Sequence, residues 1–152
     1  MIVLDTNVLS ELMGPVPHSQ VSAWAAAQPP AELFTTAITE AEIFYGIELL
    51  SRGKRRDGLL SAAEAVFNET FANRILGFDS YTARAYARIL AHRRGIGKPV
   101  AHADAQIAAI VHVHRATLAT RNVAHFEACG IGLINPWDGG LPPNSRRTRI
   151  ST

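Results

Sequence analysis

The stretch Met1-Ile2-Val3-Leu4-Asp5-Thr6-Asn7-Val8 decides the fold class. Ile2-Val3-Leu4 is a short unbroken apolar run, the pattern of a strand covered on both faces inside a parallel sheet. Asp5 ends that run, so its carboxylate should emerge at the carboxyl edge of an inner strand. Thr6 to Met13 then reads as a helix, broken by Gly14, Pro15 and Pro17. Reading outward, the alternation continues. Ser19 to Gln28 predicts a second helix, Leu33 to Thr36 a strand, and Ile38 to about Ser51 a strong helix. A helix over about Asp57 to Asn73 follows, then a strand at Ile75 to Phe78 and an Asp79-capped helix through Arg94. Ala101 to His114 is helical, Thr117 to Thr120 a strand, Val123 to Ala128 a short helix and Gly132 to Ile134 a last strand. Alternation of this kind specifies a three-layer α/β/α domain with a mostly parallel central sheet. Sites in such sheets gather outside the carboxyl ends of the strands.

The chain has 152 residues, enough for one domain and too few for two. At 47% hydrophobic and 18% charged it is neither a disordered chain nor a collagen-like repeat. The single cysteine, Cys129, excludes an intrachain bridge and suits a reducing compartment. An acid arrives at position 5, before a basic leader segment could form, and no run of about 18 apolar residues occurs. The expectation is a cytoplasmic domain over residues 1–138, with no membrane segment, followed by a basic, mobile tail over residues 139–152. Charge is unevenly spread. Residues 1–51 hold six acids and no Lys or Arg, residues 52–98 hold ten bases against four acids, and the tail adds Arg146, Arg147 and Arg149. An acidic opening followed by a basic middle suits a protein that handles a polyanion and holds a cation, although taken alone Lys54, Arg55 and Arg56 read more simply as a solvated helix start.

Three acids stand where apolar residues are expected. Asp5 could simply cap the helix that follows it. Glu42 falls between Ile38, Tyr45 and Leu49, on the stripe that the helical period marks as buried, although Thr39-Glu40-Ala41-Glu42 also fits a capping box. Asp104 shares a face with Val100, Ile107, Ala108 and Val111, and alternatively meets the helix dipole in a first turn. If two such carboxylates converge at about 5 Å they repel by roughly 3 kcal/mol at an effective dielectric near 20. A hard divalent cation held by oxygen ligands resolves that conflict.

Other motifs carry less. Gly95-Ile-Gly97-Lys98 lacks the earlier glycine of a phosphate loop, and Pro99 replaces its Ser or Thr. His112 and His114 are two apart and point to different sides of a helix, so they make no zinc pair. His102, beside Asp104, offers a weak substrate contact and reads more simply as a surface residue, and no Gly-x-Ser-x-Gly elbow is present.

Four blocks in collinear order carry a family resemblance: Met1 to Val8, Ala37-Ile38-Thr39-Glu40-Ala41-Glu42 with Tyr45-Gly46, Ala103-Asp104-Ala105-Gln106-Ile107-Ala108, and Ala119-Thr120-Arg121-Asn122 with Phe126. Together with Asn135-Pro136-Trp137 they make residues 1–138 resemble the PIN-domain family. Within it, the match is to VapC-type toxins of type II toxin–antitoxin pairs, especially the FitB-like branch. The resemblance implies Mg²⁺- or Mn²⁺-dependent endonucleolytic cleavage of RNA, with tRNA or another structured RNA as a substrate. It carries metal coordination onto Asp5, Glu42 and Asp104, and gives the Thr6 hydroxyl a supporting role. At Asn122 many relatives have a fourth acid, so the amide here brings no charge for a second metal. It further implies a homodimer or higher assembly and a cognate VapB-like antitoxin that covers the site. The alternative is a binding subunit that joins a DNA-binding antitoxin to regulate transcription, with weak or absent nuclease chemistry; a metal-dependent phosphatase or DNA nuclease is a third reading.

Overall fold

A computed structural model describes residues 1–140. The tail expected to be basic and mobile lies outside the described residues from position 141 onward.

Five parallel strands form one sheet: β1 (Ile2–Leu4), β2 (Leu33–Thr36), β3 (Ile75–Leu76), β4 (Thr117–Ala119) and β5 (Gly132–Ile134). Their spatial order is β3-β2-β1-β4-β5. The chain therefore steps outward from β1 through β2 to β3, then returns to the far side of β1 for β4 and β5. That reversal makes the β1–β4 boundary the switch point of the sheet, where the connections leave to opposite sides and open a crevice at the carboxyl ends. Ile2 pairs with both Leu33 and Thr117 in register, so β1 is the buried central strand that its apolar run predicts.

Alternation along the inner strands divides the core. Val3 and Leu118 face α5 (Ser80–Gly95), α6 (His102–Val113) and α7 (Val123–Phe126). Leu4 and Ala119 face α1 (Thr6–Met13), α2 (Ser19–Ala26), α3 (Ala37–Glu48) and α4 (Lys54–Ala65). The result is the expected three layers.

Several boundaries move for local reasons. The helix expected from Asp57 begins at Lys54, behind Gly53 at φ 155°, and its last turn widens into a π-helical turn over Val66–Thr70. Asn73, at φ 63°, completes the stop. The strand expected to reach Phe78 ends at Leu76, and Phe78 instead packs edge-on against Tyr86. Asp79 caps α5 as expected, accepting from the Thr82 N–H at 2.9 Å. No helix among the described residues is long and apolar enough to cross a membrane.

Candidate active site

Asp5 sits one residue past β1, at the switch point, and is 4% exposed. It is the N-cap of α1 and more than a cap. Oδ1 accepts from the Thr6 N–H at 2.8 Å, while Oδ2 accepts from Asn7 Nδ2 at 2.9 Å and from the Thr120 hydroxyl at 2.7 Å. Every one of these donors is neutral. Burial raises the Asp5 pKa above the ordinary carboxylate range, the Thr120 and Thr6 hydrogen bonds partly offset this, and the Asp104 and Glu42 carboxylates push it further up. Among the described residues Asp5 has no ion pair. Arg121, two residues past β4, donates its backbone N–H to Asn7 Oδ1, but its guanidinium stacks over the Trp137 ring at 5.1 Å.

Glu42 reaches the same edge by a different route from the one its spacing suggests. Thr36 caps α3, accepting from the Thr39 N–H at 3.0 Å, so Glu42 lies well inside the helix and no capping box forms at Thr39. The buried stripe is Thr39, Ile43 and Ile47. Tyr45 and Leu49 are 66% and 68% exposed, and Glu42 is on the solvent side with them. The expected burial of Glu42 is thus corrected by one helical position. What ties it in is Thr6, whose Oγ1 donates to Glu42 Oε1 at 2.8 Å and meets Thr39 Oγ1 at 3.2 Å. A hydroxyl has one proton, and the carboxylate is the stronger acceptor. That orders the chain Thr36, Thr39, Thr6, Glu42, each hydroxyl donating onward. An apolar groove of about 240 Å³ adjoins this pair, walled by Met13, Ile43, Ile47 and Leu59.

Asp104 stands in the first turn of α6, half-buried, with Oδ2 3.2 Å from His125 Nδ1. It meets the helix dipole, and its charge acts on Asp5. Asn122 is exposed at the start of α7; its backbone N–H donates to Thr120 Oγ1 at 3.0 Å, and its side chain makes no cap.

Four residues here had no role assigned from sequence: Asn7, Thr39, Thr120 and His125. Thr120 had a findable signal, because it ends β4 as Asp5 ends β1, and the two edges adjoin at the switch point. His125 had none, since an exposed histidine on a four-residue helix is unremarkable until α6 is packed beside it.

The arrangement collects negative charge, and among the described residues no lysine or arginine forms an ion pair with Asp5, Glu42 or Asp104. Among the described residues no three His, Cys, Asp or Glu side chains converge on one point tightly enough to coordinate an ion alone. Mg²⁺ needs no such cage, because it takes one or two carboxylates and keeps several waters. The donor set, carboxylates and hydroxyls with no thiolate, suits a hard cation. These residues fit a hydrated divalent ion.

Comparison with known proteins gives a consistent result. Residues 2–130 match the family described as PIN domain. The VapC ribonuclease Y4jK of Sinorhizobium fredii is 41% identical over 138 residues, covering 91% of this chain and 99% of the relative. The toxin FitB of Neisseria gonorrhoeae is 40% identical over 137 residues, covering 90% and 99%. A solved structure of FitAB bound to an IR36 DNA fragment superposes with a TM-score of 0.85 at 40% identity, covering 90% of this chain and 96% of that one.

Proposed function

The chain belongs to the PIN-domain family, and from that premise we propose that it is a divalent-metal-dependent endoribonuclease, the toxin of a toxin–antitoxin pair. The observation that carries the chemistry is Asp5: a buried carboxylate, solvated only by neutral donors, on which two further carboxylates act. Asp5 and Asp104 would hold Mg²⁺ or Mn²⁺ directly, and Glu42 would accept from a coordinated water. Such an ion, when bound, lowers the pKa of water for attack on a phosphodiester and stabilises the charge that develops there.

The chain's own residues do the rest. Thr120, Asn7 and the Thr6 N–H fix both oxygens of Asp5, so the carboxylate is oriented before anything binds. The Thr6 hydroxyl fixes Glu42, and His125 restrains Asp104. Asn122, neutral at the rim, leaves room for a phosphate oxygen where a fourth acid would repel it. Of the ten bases in residues 52–98, Arg56 is paired with Glu48, Arg74 binds the carbonyls of Pro30, Leu33 and Thr70, and Arg93 is buried. The other seven are exposed and would draw in an RNA backbone by a salt-dependent, sequence-blind attraction.

A VapB-like antitoxin is the partner this reading requires, within a homodimer or higher assembly, and the DNA-bound FitAB structure supports it. The decisive experiment is cleavage of RNA by the purified chain with Mg²⁺ or Mn²⁺. Cutting should fall to background in Asp5→Asn while the circular dichroism spectrum is unchanged. Equal cutting by that variant would overturn the assignment.

A further inference from the structure

A cavity of about 210 Å³ that Asp5 does not line is bounded by Arg93, Pro99, Val100, Ala101, Asp104, Ala124 and His125. Arg93 is 5% exposed, and among the described residues it has no carboxylate partner. Its Nε donates to the Lys98 carbonyl at 2.5 Å, and its Nη1 to the carbonyls of His125 and Glu127, with Cys129 Sγ at 3.8 Å. Nη2 is left with no protein acceptor. No fully buried side-chain nitrogen or oxygen among the described residues lacks a partner, so Nη2 keeps access to solvent, and Arg93 lines the cavity.

A buried guanidinium held only by neutral carbonyls is costly unless something else needs it there. We propose that this cavity seats one unpaired RNA base beside the cut phosphate, and that Arg93 Nη2 donates to a carbonyl oxygen on the base's edge. The inference rests on the ribonuclease reading. Three features favour a base over a phosphate. The walls at Pro99, Val100, Ala101 and Ala124 are apolar. The Asp104 carboxylate in the lining repels an anion. The volume is below the about 300 Å³ at which drug-sized pockets begin, which suits one planar ring system. The His125 ring, tethered by Nδ1 to Asp104, offers a flat surface of the kind on which splayed bases stack. Guanine, uracil and cytosine carry a ring carbonyl and adenine does not, so adenine is the base this seat disfavours.

Two measurements on the full chain test it. In the first, uridine, guanosine, cytidine and adenosine 5′-monophosphates are titrated against ¹⁵N-labelled protein, with ribose 5-phosphate as the baseless control. Amide signals of Ala101, Ala124 and His125 should move with uridine, guanosine or cytidine monophosphate, less with adenosine monophosphate, and not with ribose 5-phosphate. Ala124→Phe, a change at an exposed position that fills the cavity, should abolish the movement. Equal movement with ribose 5-phosphate, no movement with any nucleotide, or movement surviving in Ala124→Phe overturns the base seat. In the second, cut ends from a degenerate RNA are sequenced. Wild type should disfavour adenine at one position flanking the cut by about tenfold, the lower range for a hydrogen bond from a charged donor. Ala124→Phe should cut with that bias gone, and an unchanged bias again rejects the proposal. A chain that cuts no RNA with either metal fails the ribonuclease reading, whereas the titration still decides the seat.

Discussion

In the proposed reading Asp5 carries more of the chemistry than any other residue, and its titration gives the sharpest test. Its folded pKa is raised by burial and by two neighbouring carboxylates. A raised acid holds its proton more tightly folded than unfolded, so the stability it contributes is complete below the ordinary value of 3.8 and is lost as pH rises through the folded value. With chelator present, this contribution to the wild type's thermal stability should therefore shrink as pH rises above 3.8. Asp5→Asn should flatten that part of the profile. A wild-type profile that rises over the same interval would mean Asp5 is stabilised as an anion, contrary to its surroundings. Thr120 gives a second test. Thr120→Val keeps the shape but removes the 2.7 Å donor to Oδ2, and partners of metal ligands are typically worth about 10–100-fold in affinity or activity. Manganese titration calorimetry and RNA cleavage should both fall by that order, with little loss of melting temperature. Asp5 was legible because it interrupts an apolar run. Thr120 was legible only as the residue that ends β4, and a threonine there is ordinary until the pairing of β4 with β1 sets it against Asp5.

At the scale of elements, the sequence located each strand and α-helix among the described residues, missed the short 3-10 turns at Pro30–Glu32 and Pro136–Asp138, and set the phase of α3 one position off. Ile38, Glu42, Tyr45 and Leu49 satisfy the helical period as well as Thr39, Ile43 and Ile47 do. Periodicity finds a stripe, and cannot tell which of two neighbouring stripes meets the sheet. Thr36 decides it, since its cap fixes where the helix begins and so which residues turn inward. Glu42 was thus singled out by a face it does not occupy, and it joins the site through Thr6 instead. The phase can be checked by denaturant unfolding. Ile47→Ala should cost about 2–5 kcal/mol, as for a truncated core residue, while Leu49→Ser should stay within about 0.5 kcal/mol, as for a surface change. The reverse order would put the apolar stripe back where spacing alone suggested. Thr36→Val should cost about 1 kcal/mol through the lost cap.

Across the whole molecule, the site exists because one sheet holds two packed layers together. β1 and β4 send alternate side chains to opposite cores, Val3 and Leu118 into one, Leu4 and Ala119 into the other. Neither layer can leave without exposing the strands on which the other depends. Asp5 follows one of these strands and Thr120 the other, while Glu42 and Asp104 arrive on helices from opposite layers. The four therefore share one edge of the sheet only when both layers are docked, and local sequence signals cannot report that sharing. Unfolding should accordingly be two-state, and the chain carries a probe on each side. Trp24 and Trp137 belong to the α1–α4 core, whereas Cys129 is buried in the α5–α7 core, where burial pushes its thiol pKa up and keeps it unreactive. Urea transitions followed by tryptophan fluorescence and by thiol labelling of Cys129 should share one midpoint. Saturating Mn²⁺ at about 100 times its dissociation constant should move both together by about 2.7 kcal/mol, and in Asp5→Asn it should move neither. Separate midpoints, or a metal shift confined to one probe, would mean that the layers unfold independently and that the carboxylates are not held by a single cooperative frame.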